Sequence, residues 1–410
     1  MAMDKYLWIL LAALLLASCS ATDSEEQAGG SAIASVVSFD VTTDDVATRS
    51  VIANTSEFAI DGRQFRVWAF MQKDGTNTWS HMTSDYNDNE LQAVDITYVA
   101  YRNEWTTTET YYWPRPEFAV DFYAIYPTEY EYNSNQILTF NTTNKTLDYT
   151  APTNPDNAVD VMYATYHGQR NGEEKPDQRK EVKLKFYHAL TQVSFYGKLS
   201  DLLVSLGWTV DINSITLCNV PSQGSLQLVT TTDPNVNQSA SQFTNRSTPA
   251  NYGFNMNPDR QTLTTATNAV LLTSPTAVAM LLPQKLTPWN KSSEITSSAT
   301  NIGCYLKVGL TIKDGQGKYI IGTETTDHVV YAPFYCGIYA DSDTNNNGDR
   351  GTENDLGWQS GNHYKYTLKF NGGYDATGHP VIQDIGFTAA IQPWITTEVT
   401  GTATHPVATP

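Results

Sequence analysis

Residues 118–127 read FAVDFYAIYP. In an extended chain Phe122, Ala124 and Tyr126 fall on one side, and Tyr123 and Ile125 on the other. Both sides are apolar, so this is a strand covered on both faces. Pro127 stops its ladder, because proline has no N–H to donate. VKLKFYHALTQVSFYGKL, residues 182–199, reads the same way as one strand candidate, with Phe186 and His188 on one face and Tyr187 and Ala189 on the other. No nucleophile or carboxylate motif accompanies His188, so it reads as a hydrogen-bonded core histidine and not as a catalytic base.

Outward from these stretches the pattern persists. Further strand candidates cover 65–72, 210–220, 277–284, 304–313, 364–370 and 384–394, punctuated by Gly, Pro and Asn-Asp clusters. Residues 198–206 are the one place for a turn or two of helix. The chain is therefore expected to be all-β. Its length exceeds a single domain of ~100–150 residues, which points to two domains divided near Gly207. Residues 230–268 are polar and read as surface loop with short strands at most. Near the front, SVVSFDVTTDDVATRSVI (35–52) alternates Val37, Phe39 and Val41 with polar residues, and Arg49 follows an acidic tract.

The first residues read as an address. Lys5, partly offset by Asp4, precedes an apolar run at 6–17, too short to span ~30 Å of hydrocarbon. The run ends in Leu16-Ala17-Ser18-Cys19, which resembles a bacterial lipobox. Residues 1–18 would then be a lipoprotein signal peptide and Cys19 the lipidated residue; an ordinary secretory signal is the plainer alternative. Residues 19–32, with Asp23, Glu25 and Glu26, form an acidic tether similar to a surface-export signal. No later run approaches the length of a membrane helix.

A net charge of −18 argues against nucleic-acid partners, which need clustered Lys and Arg. Cys218, Cys304 and Cys336 lack metal-ligand spacing and read as buried strand thiols, of which at most one pair could bond. Asp343, Asn345, Asn347 and Gly348 match the start of a calcium loop, but Asn354 stands where a bidentate Glu is required, so a solvated loop is favoured. No P-loop, GxSxG, HExxH or clustered His-Cys set is present. No enzymatic activity, metal or other cofactor is expected.

YYWPRPEFAVDFYAIYP (111–127), DVMYATY (160–166) and VKLKFYHALTQVSF (182–195) together resemble the fimbrillin family, the Mfa-like and FimA-like fimbrial lipoproteins of Bacteroidetes. INSITLCNVPSQGSL (212–226), VAMLLPQKLTPW (278–289), LGWQSGNHYKYTLKF (356–370) and DIGFTAAIQPW (384–394) continue the likeness in order. It covers about residues 34–396. The resemblance implies two tandem β-sandwich domains of transthyretin-like, Greek-key topology, at 33–206 and 207–410. It implies an outer-membrane lipid anchor, cell-surface exposure and a place in a fimbrium. It further implies cleavage after Arg49 by an arginine-specific protease, with residues 33–49 as removable strand and linker. Other fimbrial subunits would then be partners by donor-strand exchange. The tail ITTEVTGTATHPVATP (395–410), broken by Gly401, Pro406 and Pro410, is a poor donor, which favours a tip, anchor or accessory subunit over a stalk. The rival reading is a non-polymerising surface module that binds glycans or host proteins on the same fold.

Overall fold

The computed structural model describes residues 36–43, 52, 54–73, 76–83, 88–114, 118–128, 130–132, 135–168, 181–230, 243–256, 258–274, 279–289, 295, 302–336, 357–374, 380–382 and 386–393. In chain order the first strands are β1 (Ser38–Thr43), β2 (Gln64–Lys73), β3 (Trp79–His81), β4 (Val94–Val99), β5 (Glu104–Thr106) and β6 (Phe118–Tyr126). There follow β7 (Tyr130–Tyr132), β8 (Asn135–Asn141), β9 (Thr146–Thr150), β10 (Met162–Gly168), β11 (Glu181–His188) and β12 (Thr191–Leu199). The next group is β13 (Thr209–Gln227), β14 (Thr244–Phe254), β15 (Gln261–Leu263), β16 (Val270–Leu271), β17 (Ala279–Leu281) and β18 (Tyr305–Lys313). The last are β19 (Tyr319–Ile321), β20 (His328–Pro333), β21 (Asn362–Phe370), β22 (Gly372–Tyr374), β23 (Pro380–Ile382) and β24 (Gly386–Pro393). Among the described residues two short α-helices interrupt them, α1 (Thr55–Phe58) and α2 (Asp201–Ser205), capped by Asn54 and Ser200 side chains that accept from Glu57 and Leu203 N–H groups. The chain is all-β, as its alternation predicts.

The first sheet closes on itself. Its strands run β2, β4, β5, β1, β11, β10, β6, and β6 pairs back with β2, while β3 extends β2 on the β4 side. Closure gives every strand of the ring a neighbour on both sides and leaves β3 as a short edge strand outside it. It also explains FAVDFYAIYP, since β6 is laddered on both sides, to β10 and to β2. Phe122 and Ala124 point into the ring, with Phe58, Phe65 and Phe186. Tyr123 and Ile125 point outward into a second core, beside Ile137, Leu147, Tyr163 and Tyr187. Both faces of the strand are covered.

A second sheet (β16, β12, β21, β24, with β17 on β12) and a third built on β13 and β18 pack face to face. Val193, Phe195, Tyr364 and Tyr366 from one meet Ile212, Leu217, Leu306 and Leu310 from the other. Phe195 stands edge-on to Phe254, with ring centroids 4.9 Å apart.

Two expectations are corrected. The stretch 182–199 is two strands, not one, because the chain leaves the first sheet after His188 and enters the second at Thr191. Buried Ala189 and Leu190 make the crossing, held by the bonds Ala189 N–H to Val161 O and Gly361 N–H to Leu190 O, both 2.8 Å. The turn at Gly207 is present, with φ +68°, and β8 and β9 join the sheet of β13. The polar stretch 230–268 also contains β14, eleven residues long. Its composition hides it because it pairs along β13 with most described side chains exposed, while Tyr252 and Phe254 are buried in the core and Ala250 packs against it.

Candidate functional site

The segment that the alternation of Val37, Phe39 and Val41 singles out is a strand, β1, seated in the ring. Along one edge it pairs in parallel with β11, from Ser38 opposite Glu181 to Thr43 opposite Phe186. This is the only parallel pairing of the first sheet among the described residues. The other edge is held more sparsely. Phe39 pairs with Trp105 of β5, Val36 bridges to Tyr112, and the Val37 N–H donates to the Tyr111 carbonyl at 2.8 Å. The YYWP stretch thus forms one wall of the slot, with Trp113 packed on Phe122 at 5.4 Å.

Side chains reinforce the seat. Phe39 meets Phe65 and Phe122 edge-on, both at 6.4 Å, a favoured aromatic geometry. Val37, Phe39 and Val41 stay 6–8 % exposed, whereas Phe58, Phe65, Phe122 and Phe186 beneath them are at 0 %. The strand is therefore the outer layer of this core, and lifting it would open the rings below. Burying two valines and a phenylalanine is worth roughly 5–8 kcal/mol.

Two anchors flank residues 44–51. On the β1 side, the Thr43 N–H donates to Thr55 Oγ1 at 3.0 Å. On the far side, the Ile52 N–H donates to Asp160 Oδ2 at 3.3 Å, and His188 Nδ1 bonds Asp160 Oδ1 at 2.8 Å. Asp160 of DVMYATY and His188 of FYHAL thus meet in the interior, and the core-histidine reading of His188 holds. Arg49 and Cys19 lie outside the described residues, as do the 343–355 loop, Trp394 and the tail.

The remaining motifs are also structural. Gln284 of LLPQ donates its side-chain amide to the Pro221 carbonyl at 3.0 Å, and its backbone carbonyl accepts the Trp358 backbone N–H at 2.8 Å. Trp358 Nε1–H donates to the Tyr366 hydroxyl at 2.8 Å, which donates to the Cys336 carbonyl at 3.3 Å. Cys218, Cys304 and Cys336 are buried thiols outside any disulfide. Burial pushes the thiol of Cys218 up to about 11 and that of Cys304 up to about 12. Among the described residues no group of His, Cys, Asp and Glu could hold a metal ion, and no helix is long and apolar enough to cross a membrane.

A fimbrillin-like family model matches residues 48–394. The chain belongs to the fimbrillin-like family. Membership of it is consistent with a structural, non-enzymatic protein of a cell-surface fimbrium. Among solved structures, this fimbrillin-like chain is similar to a fimbrial protein from Bacteroides vulgatus, at 15 % identity over 88 % of this chain and 99 % of that one, with a TM-score of 0.47. It is also similar to the tip fimbrial protein Mfa3 from Porphyromonas gingivalis, at 12 % identity over 86 % and 99 %, with a TM-score of 0.33. A comparison with curated proteins found no match.

The sequence indicated β1 and the motifs but not their meeting. Nothing in the spacing of Ile52, Asp160 and His188 announces a shared hydrogen-bond cluster, because the contact depends on where β11 begins and ends.

Proposed function

We propose that this chain is a lipid-anchored fimbrial subunit whose first strand is a temporary occupant of its own slot. Cys19 carries the lipid and tethers the precursor to the outer membrane. Cleavage after Arg49 leaves β1 without a covalent link to the ring. A strand from another subunit then takes its place, as in strand addition between pilins. An emptied slot would leave backbone groups of β11 and β5 without partners and Phe65 and Phe122 facing water, both costly until the slot is refilled.

The observation that carries this reading is the seat of β1: the first strand described, parallel to β11, forming the outermost layer over a core of fully buried rings. Parallel pairing is slightly weaker per residue than antiparallel, which suits an exchangeable strand. The proline-broken tail supports a tip, anchor or accessory place over a stalk.

The test is Arg49→Ala expressed in cells that make fimbriae. The variant precursor should fold and carry lipid, yet stay at precursor length and enter no polymer. Normal polymers from that variant would remove Arg49 from the scheme.

A further inference from the structure

The outward face of the first sheet carries a second feature, away from the β1 slot. Register places His81 of β3 opposite Phe70 of β2, Phe70 opposite Asp121 of β6, and Asp121 opposite His167 of β10. Directly opposed residues share a face, so these four make one row across four strands. The turn between β8 and β9 overhangs the row. Asn141 Oδ1 accepts from the N–H groups of Thr143 and Asn144, both at 3.0 Å, which shapes that turn. Its Lys145 ammonium sits 3.1 Å from the centre of the Phe70 ring and bonds the Thr142 carbonyl.

Between turn and sheet lies a cleft of about 480 Å³, lined by Phe70, Trp79, Asp121, Tyr123, Thr142 and Lys145, among others. That volume is ample for a small molecule. Trp79, on the short edge strand β3, is 37 % exposed and lines the cleft with its indole. Asp121 is buried, with Oδ1 2.5 Å from His167 Nδ1.

We infer that this cleft is a binding site for an uncharged pyranose, one C–H face stacked on Trp79 and its hydroxyls met by Thr142, Thr143, Asp121 and Lys145. The chemistry selects this class over others. An apolar ligand would take solvent from the remaining donors of Lys145 and from the hydroxyls of Thr142 and Thr143 without replacing it, at a cost for each. A polyanion is repelled by a chain of net charge −18, and the cleft holds a carboxylate beside its lysine. A polyhydroxylated ring satisfies both halves of the lining, the aromatic and the polar.

The test is saturation-transfer difference NMR on the purified full chain, with the methyl glycosides of glucose, galactose, mannose and N-acetylglucosamine. At least one should show enhancement of its ring protons. Trp79→Ala should weaken that glycoside about tenfold or abolish it, and Trp79→Tyr should restore most of it. Because Trp79 lies on an exposed edge strand, all three proteins should melt together. No enhancement with any of the four glycosides, or an enhancement that survives Trp79→Ala, overturns the site. The measurement is made on unpolymerised protein, so it stands or falls apart from the strand-exchange reading.

Discussion

His188 Nδ1 lies 2.8 Å from one oxygen of Asp160, while the other oxygen accepts the N–H of Ile52 at 3.3 Å. Both side chains are almost fully buried. The contact ties the chain that follows residues 44–51 to the start of β10 and the end of β11. None of its three residues belongs to β1.

Removing the shared acceptor should therefore be costly. Asp160→Ala leaves a buried imidazole and a backbone N–H without their carboxylate, and should destabilise by about 2–4 kcal/mol. Urea titration should show a lowered midpoint with an unchanged slope.

The seat of β1 can be weighed in the same way. Phe39→Ala deletes a ring that caps Phe65 and Phe122, and should cost about 3 kcal/mol, at the low end for a buried phenylalanine because Phe39 is an outer-layer residue. Thr42→Ala, on the exposed face of the same strand, should change stability by less than about 0.5 kcal/mol. Equal effects in thermal melts would show that β1 is not packed as described.

Gly357 joins two motifs. It has φ +73°, and a Cβ there would lie 2.7 Å from the Gln284 carbonyl oxygen and 2.8 Å from Lys285 Cα. Both are backbone atoms that cannot swing aside. Gly357→Ala should lower the melting temperature markedly, by roughly 2 kcal/mol or more in free energy, and should disturb the near-UV signal of Trp358 next to it.

Acid should weaken the second sheet through His363. Burial first, and then the neighbouring Lys365, lower its pKa from the ordinary 6.5 to about 4, and its Nε2 lies 2.9 Å from Ser194 Oγ. The unfolded chain takes up this proton before the folded one does. Its contribution is thus complete above about 6.5 and is lost as pH falls toward 4. His363→Gln should flatten that part of a stability-against-pH curve measured by urea midpoints, and an unchanged curve would exclude His363 as its source.

The thiols give the alkaline counterpart. With Cys218 raised to about 11 and Cys304 to about 12 from an ordinary 9.0, the unfolded chain loses these protons first. Their contribution is present below 9 and declines as pH rises through that range. At neutral pH the native protein should resist iodoacetamide at Cys218, Cys304 and Cys336, and all three should label in denaturant. Labelling of the native thiols, read by mass spectrometry, would contradict their burial.

Much of this was legible beforehand because it is local. Alternation along 118–127, 182–188 and 364–370 sets which side chains can share a face, and any sheet that covers both sides must bury them. The strand at Val37, Phe39 and Val41, the core role of His188 and the buried thiols follow from the same period. The long edge strand at 244–254 escaped because its polar residues carry no period, and it is a strand only because β13 runs beside it.

Taken alone, then, the amino-acid order determined that the chain is all-β, where many of its core strands lie and which of their residues must be inside, since these depend on side chains a few positions apart. Tertiary structure alone decided that the first sheet closes into a ring, that β1 enters it parallel to β11, that the sheet changes at Ala189, and that Ile52, Asp160 and His188 converge. Those outcomes depend on which distant strands pair, a choice made by the summed packing of two shared cores, and no single segment encodes it.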